Sequence, residues 1–134
     1  LLQVHQLRLL SFNARSIVNK TDKLEDLLLL YDPHVCVISE TWLHEAIRDA
    51  EIIPPNYHMY RKDRGSRGGG TAVLTKSGVH VTVADQIQEH ESLFLKVSIW
   101  GMSFFLCSVY RAPGADDSFM HQLYDHLLRL RGKK

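Results

Sequence analysis

Residues 21–40 decide the fold of this chain, and they read TDKLEDLLLLYDPHVCVISE. Apolar residues at i, i+3, i+4 and i+7 predict one buried helical face, made of Leu24, Leu27, Leu28 and Tyr31. Asn19 is the predicted cap of this helix, and Asp32-Pro33 ends it because a residue before proline avoids helical backbone. The apolar run at residues 35–38 predicts a short buried strand directly after the helix.

The segment before this stretch completes a β-α-β unit. Residues 6–12 predict a strand, so we expect the two strands to be parallel and joined by a right-handed crossover. Further strands are predicted by alternation and by bounding turns at residues 57–61, 71–75, 79–83, 93–99 and 104–109. We expect these later strands to be antiparallel neighbours joined by hairpins, one of which turns at Trp100-Gly101.

A final helix is predicted near the end of the chain, with Asp116 or Asp117 as its cap. Its predicted apolar face consists of Phe119, Leu123, Leu127 and Leu130. The order of elements, β-α-β followed by antiparallel strands and a helix, predicts a layered α+β domain.

The composition fits one globular domain in an intracellular setting. The chain has 134 residues, of which 45% are hydrophobic, and its net charge is +1. No apolar run reaches the roughly 18 residues needed to span a bilayer, so we expect no membrane partner. Cys36 and Cys107 lie in strand-like runs and are expected to be buried thiols. With no signal peptide, the expected location is the nucleus, the cytoplasm or both, and the first residue, Leu1, suggests a piece of a longer reading frame.

Two polar residues follow the predicted parallel strands. Glu40 ends the second strand, where a carboxylate suits Mg²⁺, although a glutamate at a helix N-terminus would also fit this position. Asn13 ends the first strand, and its amide can orient a phosphate or simply form a turn. Because the carboxyl ends of parallel strands share one sheet edge, we expect these two side chains to be close together.

Tyr110 and Arg111 end the last predicted strand in the same manner. A phenol can hydrogen-bond a phosphate oxygen and an arginine can meet two oxygens, but both residue types also occur at ordinary surfaces. Residues 64–70 read RGSRGGG. Their glycines permit close approach to phosphate, with Arg64 and Arg67 supplying charge, whereas a flexible loop or a single Arg-Gly-Gly RNA-binding element are the alternatives.

Four strings carry a family resemblance. They are SFNARS at residues 11–16, ISETWL at 38–43, RGSRGGGT at 64–71 and VYRAP at 109–113. With these strings in this order, the chain resembles the endonuclease/exonuclease/phosphatase superfamily, and particularly the apurinic-type endonuclease of LINE-class non-LTR retrotransposons. The resemblance implies a DNase I-like two-sheet sandwich that nicks DNA with Mg²⁺ or Mn²⁺.

The resemblance also implies roles for individual residues. Glu40 would bind the metal, Asn13 would help arrange the metal and phosphate, and Tyr110 would contact the scissile phosphate. Arg64, Arg67 and Arg111 would face the DNA. The family's later Gly-Asp-x-Asn and Ser-Asp-His strings do not occur in these 134 residues.

We therefore expect residues 1–134 to form the N-terminal portion of such a domain, with little or no nicking by this chain alone. Uncovered sheet surface is expected to favour self-association. Two alternatives stay open. One is a phosphomonoesterase or lipid phosphodiesterase of the same superfamily, and the other is a non-catalytic remnant that binds nucleic acid or protein.

Overall fold

The computed structural model describes residues 5–65 and 68–132 and contains seven strands and two α-helices in that part of the chain. The strands are β1 (Leu9–Asn13), β2 (Val35–Ser39), β3 (Tyr57–Lys62), β4 (Thr71–Lys76), β5 (His80–Val83), β6 (Glu91–Ile99) and β7 (Met102–Tyr110). The helices are α1 (Thr21–Tyr31) and α2 (Ser118–Arg131), with a single 3₁₀ turn at Asp49–Glu51.

The strands form two sheets. The first has the order β1-β2-β4-β3, in which β1 and β2 are parallel, as predicted, and the other pairs are antiparallel. The second is the antiparallel sheet β5-β6-β7. A two-residue turn joins β6 to β7 at Trp100 and Gly101, whose φ angles of 53° and 75° match the left-handed backbone that such tight hairpins need.

The sheets and helices are arranged in four layers. Alternate residues of β2 point to opposite faces, so Cys36 and Ile38 pack with α1, whereas Val35 packs between the sheets. The same alternation in β6 sends Leu95 between the sheets and Phe94 towards α2. This mixed α+β sandwich confirms the predicted fold class.

The prediction that all later strands would be hairpin neighbours was wrong. β4 and β5 follow each other in the chain but lie in different sheets. Alternation shows which residues of a strand share a face, but it carries no information about which strand is the neighbour. The first strand also begins later than predicted, at Leu9 rather than at residue 6.

Both predicted helices form, with corrections to their faces and caps. In α1, Leu24 and Leu28 are buried as expected, but Tyr31 is 53% exposed, and Asn19 lies before the capping position, which Lys20 occupies. The buried face of α2 contains Leu130, while the predicted Leu127 is 42% exposed.

His126 replaces Leu127 on the buried face of α2. Its ring Nε2–H donates to the backbone carbonyl of Asp85 at 2.6 Å, and the ring packs against Phe94 at 4.4 Å between centroids. The hydrogen bond to Asp85, and not the pattern of apolar residues, therefore explains why position 126 is buried. At the start of α2, Asp117 holds the capping position, while the Asp116 carboxylate accepts the Ser118 N–H at 3.0 Å.

Both cysteines are free thiols. Cys36 is buried, but Cys107 is only half-buried, so the prediction of two buried thiols holds for the first alone. Burial raises the pKa of Cys36 to about 12 and that of Cys107 to about 11. No helix within residues 5–65 and 68–132 is long and apolar enough to cross a membrane.

Candidate active site

A hydrogen bond joins the ends of strands from the two sheets. The Tyr110 hydroxyl, at the end of β7, donates to Glu40 Oε1, just past the end of β2, at 3.0 Å. Both residues are half-buried. This hydrogen bond raises the pKa of Tyr110 above its ordinary value. The structure therefore brings together two of the predicted site residues.

The backbone of residues 40–42 is strained and held from two sides. Glu40 and Trp42 have φ angles of 55° and 59°, in the left-handed region that non-glycine residues rarely adopt. On one side, the Glu40 carbonyl accepts the Ser16 N–H at 2.7 Å. On the other, the Trp42 N–H donates to the Gly69 carbonyl at 2.9 Å. The segment is not helical, which removes the helix N-terminus as an explanation for Glu40.

Asn13 lies beside this segment. In the parallel pair of β1 and β2 it is opposite Ser39, one residue before Glu40, as the sequence predicts. Its Oδ1 accepts the backbone N–H of Arg15 at 3.2 Å in a local turn. This hydrogen bond uses one lone pair of the amide oxygen, so the second lone pair and the NH₂ group can both serve a ligand.

The glycine-rich loop is attached to the site through Glu91, a residue that sequence reasoning missed. Glu91 Oε1 accepts both the Gly70 N–H at 2.8 Å and Arg64 Nε–H at 3.0 Å. The Arg64 guanidinium lies 5.9 Å from the centre of the Tyr110 ring. A Cβ atom on Gly69 would be 2.2 Å from Glu91 Oε1, so any larger residue there would displace this ion pair.

Another predicted arginine is not part of this contact chain. Arg111 turns back onto its own loop, where its Nη2 donates to the carbonyls of Ala115 at 2.9 Å and Asp116 at 3.4 Å. Arg67 lies outside the described residues.

Two lysines border a hollow beside Asn13 that the sequence did not point out. The hollow has a volume of about 250 Å³, and Lys20 and Lys23 lie in its wall together with Asn13. Both lysines belong to the start of α1 or the turn before it, a position that no motif marks. They add positive charge next to the candidate site.

Residues 10–131 match the sequence profile described as the Endonuclease/Exonuclease/phosphatase family. The chain belongs to this family. The match covers nearly the whole sequence and confirms the predicted superfamily. No curated protein matches the chain closely enough in sequence to be compared with it.

Solved structures of the Endonuclease/Exonuclease/phosphatase fold resemble this chain at low sequence identity. The endonuclease domain of TRAS1, a telomere-specific non-LTR retrotransposon, has a TM-score of 0.68 at 15% identity, covering 89% of this chain and 52% of that one. An AP endonuclease from Archaeoglobus fulgidus has a TM-score of 0.64 at 20% identity, covering 93% and 49%. TDP2 from D. rerio, complexed with single-strand DNA product, has a TM-score of 0.65 at 16% identity, covering 96% and 56%.

This chain spans about half the length of those structures. At such identities the likeness shows the fold, which is the DNase I-like sandwich expected from the sequence. It places no individual residue in a role.

The Glu40 position suits a hard divalent cation in the manner that Mg²⁺ is usually bound. Mg²⁺ needs only one or two protein carboxylates, because waters and substrate phosphate oxygens complete its shell. Within the described residues, no group of three or more His, Cys, Asp or Glu side chains could form a full cage. The donors that the described residues offer here are the Glu40 carboxylate and the Asn13 amide at the end of the neighbouring strand, both of them oxygen ligands of the kind Mg²⁺ takes.

Proposed function

We propose that this chain carries the metal- and phosphate-binding part of a DNA-nicking endonuclease of retrotransposon origin. The observation that supports it is the Tyr110–Glu40 hydrogen bond at 3.0 Å, beside Asn13 at the end of the neighbouring strand. We further propose little or no nicking by these 134 residues alone, because a complete site also needs a base to activate water. The nucleus, the cytoplasm or both remain the proposed location.

Each residue has a proposed part in this chemistry. Glu40 is the carboxylate ligand of Mg²⁺ or Mn²⁺, and the metal, when bound, acts as a Lewis acid on the phosphate. The single O–H of Tyr110, which now donates to Glu40 Oε1, would turn its hydrogen bond to a non-bridging phosphate oxygen of a substrate held next to Glu40. Asn13 donates from its NH₂ group to the phosphate. Asn13 can serve as a metal ligand as well, because its amide oxygen has a second lone pair beside the one that accepts the Arg15 N–H.

DNA is the proposed partner, and positive side chains supply the attraction. Lys20 and Lys23 lie in the hollow beside Asn13, and Arg64 lies above the Tyr110 ring. Arg67 is also proposed to face the DNA, as the family resemblance implies. Arg111 is proposed to reach the DNA only after leaving the carbonyl oxygens that now accept its hydrogen bonds.

The test combines metal binding with nicking. Binding of Mn²⁺ is measured by electron paramagnetic resonance for the wild type, Glu40→Gln and the exposed control Glu45→Gln. We expect the first substitution alone to abolish binding. Supercoiled plasmid is then incubated with each protein in Mg²⁺, Mn²⁺ or EDTA, and we expect little or no nicking.

Two results would contradict the proposal. Metal-dependent nicking that disappears in Glu40→Gln but not in Glu45→Gln would show that this chain suffices for catalysis. Salt-sensitive DNA binding without any Glu40-dependent metal binding would favour a non-catalytic remnant of the same scaffold.

A further inference from the structure

We propose that Trp42 is a stacking surface for an unpaired nucleobase of the DNA whose phosphate the Glu40–Tyr110 site binds. This inference rests on the proposed function and extends it from the phosphate to the base. Trp42 belongs to the ISETWL string that carries the family resemblance, but it is not among the site residues predicted from the sequence.

The first observation is the exposure of Trp42 between buried neighbours. Thr41 is fully buried and Leu43 is 2% exposed, whereas Trp42 is 37% exposed. The two neighbours fix the segment in the core, so the indole is directed to the surface two residues after Glu40. Exposing a tryptophan to water is costly. The bases of single-stranded nucleic acid stack on aromatic side chains that have an accessible face.

The second observation is the rigid backbone under the indole. Trp42 has a φ of 59°, and its N–H is bound by the Gly69 carbonyl at 2.9 Å. A bulky residue in left-handed backbone is an outlier, and such conformations concentrate where a ligand is bound. A ring held in this way loses little conformational freedom when a base stacks on it.

The third observation is a cation beside the ring. A Cβ atom placed on Gly68 would lie 3.3 Å from Arg64 Nη1 and 3.9 Å from Trp42 Nε1, so both groups flank the same glycine. Arg64 also lies over the Tyr110 ring. The surface thus runs from the phosphate site through a guanidinium to the indole, which matches the alternation of phosphate and base along one DNA strand.

Trp100 offers a matched control within the same chain. It is also 37% exposed, with a φ of 53°, and its ring stacks on the His5 ring with 4.6 Å between the centroids. It lies at the turn end of the β6–β7 hairpin, whereas Tyr110 lies at the other end, on the order of 25 Å away along the strand. The two tryptophans therefore differ in position and not in exposure.

The experiment uses tryptophan fluorescence in two single-tryptophan proteins, Trp100→Phe and Trp42→Phe. Each is titrated at low salt with a short oligothymidylate and with an abasic deoxyribose-phosphate oligomer of the same length. We expect oligothymidylate to quench the protein that retains Trp42, the abasic oligomer to leave it unquenched, and neither ligand to quench the protein that retains Trp100. In a separate anisotropy titration, Trp42→Ala should weaken oligothymidylate binding about tenfold relative to wild type.

Equal quenching by the abasic oligomer, equal quenching of both proteins, or no binding of oligothymidylate would overturn the inference. The Mn²⁺ measurement separates this failure from failure of the proposed function. Glu40-dependent Mn²⁺ binding without quenching would refute base stacking alone. Base-dependent quenching of Trp42 without Mn²⁺ binding would refute the metal site alone.

Discussion

Tyr110 and Glu40 are 70 residues apart in the chain and share a hydrogen bond of 3.0 Å that spans the two sheets. The bond forms only when the β5-β6-β7 sheet is docked on the other sheet. It therefore belongs both to the candidate site and to the packing of the sandwich.

The energy of this hydrogen bond can be measured with a double-mutant cycle. We expect Tyr110→Phe and Glu40→Ala to show a coupling of about 1 kcal/mol in the free energy of unfolding, determined by urea denaturation. The pair Tyr110→Phe and Glu45→Ala is the control and should be additive. A coupling near zero for the first pair would mean that the hydrogen bond does not persist in solution.

Gly70 is expected to be irreplaceable for reasons of space. A Cβ atom there would lie 2.6 Å from Thr41 Oγ1, a fully buried side chain, whereas a Cβ on Gly65 would meet nothing within 4 Å. Both glycines have positive φ, at 86° and 81°, so alanine is strained at either position. Gly70→Ala should therefore lower the unfolding free energy by about 1–3 kcal/mol more than Gly65→Ala. Equal losses in urea denaturation would refute the close packing.

Tyr57 makes the stability of the protein sensitive to alkaline pH. Burial raises the pKa of Tyr57 to about 12 from an ordinary value of 10.0, and its hydroxyl donates to the Pro33 carbonyl at 2.8 Å. Because the folded state holds this proton more tightly than the unfolded state does, the contribution of the Tyr57 hydroxyl to the free energy of unfolding is fully present below pH 10. It is lost as the pH rises through 12, by about 2–3 kcal/mol in total.

Tyr57→Phe should consequently flatten the fall in unfolding free energy between pH 10 and pH 12, measured by urea denaturation. At pH 7 the same substitution should cost about 1 kcal/mol through the lost hydrogen bond. Tyr124→Phe is the control, since that ring is 63% exposed, and it should leave the pH profile unchanged. An unchanged profile in Tyr57→Phe would contradict the raised pKa.

Leu9 is the residue through which we expect self-association. It lies on the edge strand β1, opposite Val35 and on the same face, yet it is 56% exposed while Val35 is fully buried. Leu9→Lys should reduce concentration-dependent association in sedimentation velocity experiments. Leu29→Lys, on a side chain that is 73% exposed on α1, should have less effect. A wild-type protein that stays monomeric at high concentration would rule out this contact.

The sequence predicted local features of the fold well because they depend on near neighbours. The apolar run before Glu40 specifies a buried strand wherever it is placed, and its pairing with β1 follows from the short helical crossover. The division into two sheets could not be predicted in this way, since it depends on which distant strands pair. His126 illustrates the same limit, because its burial requires the Asp85 carbonyl, 41 residues away.

The candidate site divides along the same line. Asn13 and Glu40 could be placed together from the sequence because both end adjacent parallel strands. Glu91 was missed because its role comes from contacts with Arg64 and Gly70, which are 27 and 21 residues away. Arg111 was predicted to face the DNA because it is adjacent to Tyr110. In the structure its guanidinium instead donates to carbonyl groups of the turn that follows β7.

The left-handed backbone of Glu40 sets the proposed metal-binding role of this carboxylate against heat resistance at a single position. Glycine and asparagine adopt that conformation more readily than glutamate, which is held there at a cost of about 1–2 kcal/mol. A library of variants at position 40 that is selected only for survival after heating would enrich these two residues and lose the carboxylate. Attempts to engineer a hardier protein from this chain should therefore keep Glu40 fixed and seek improvement elsewhere.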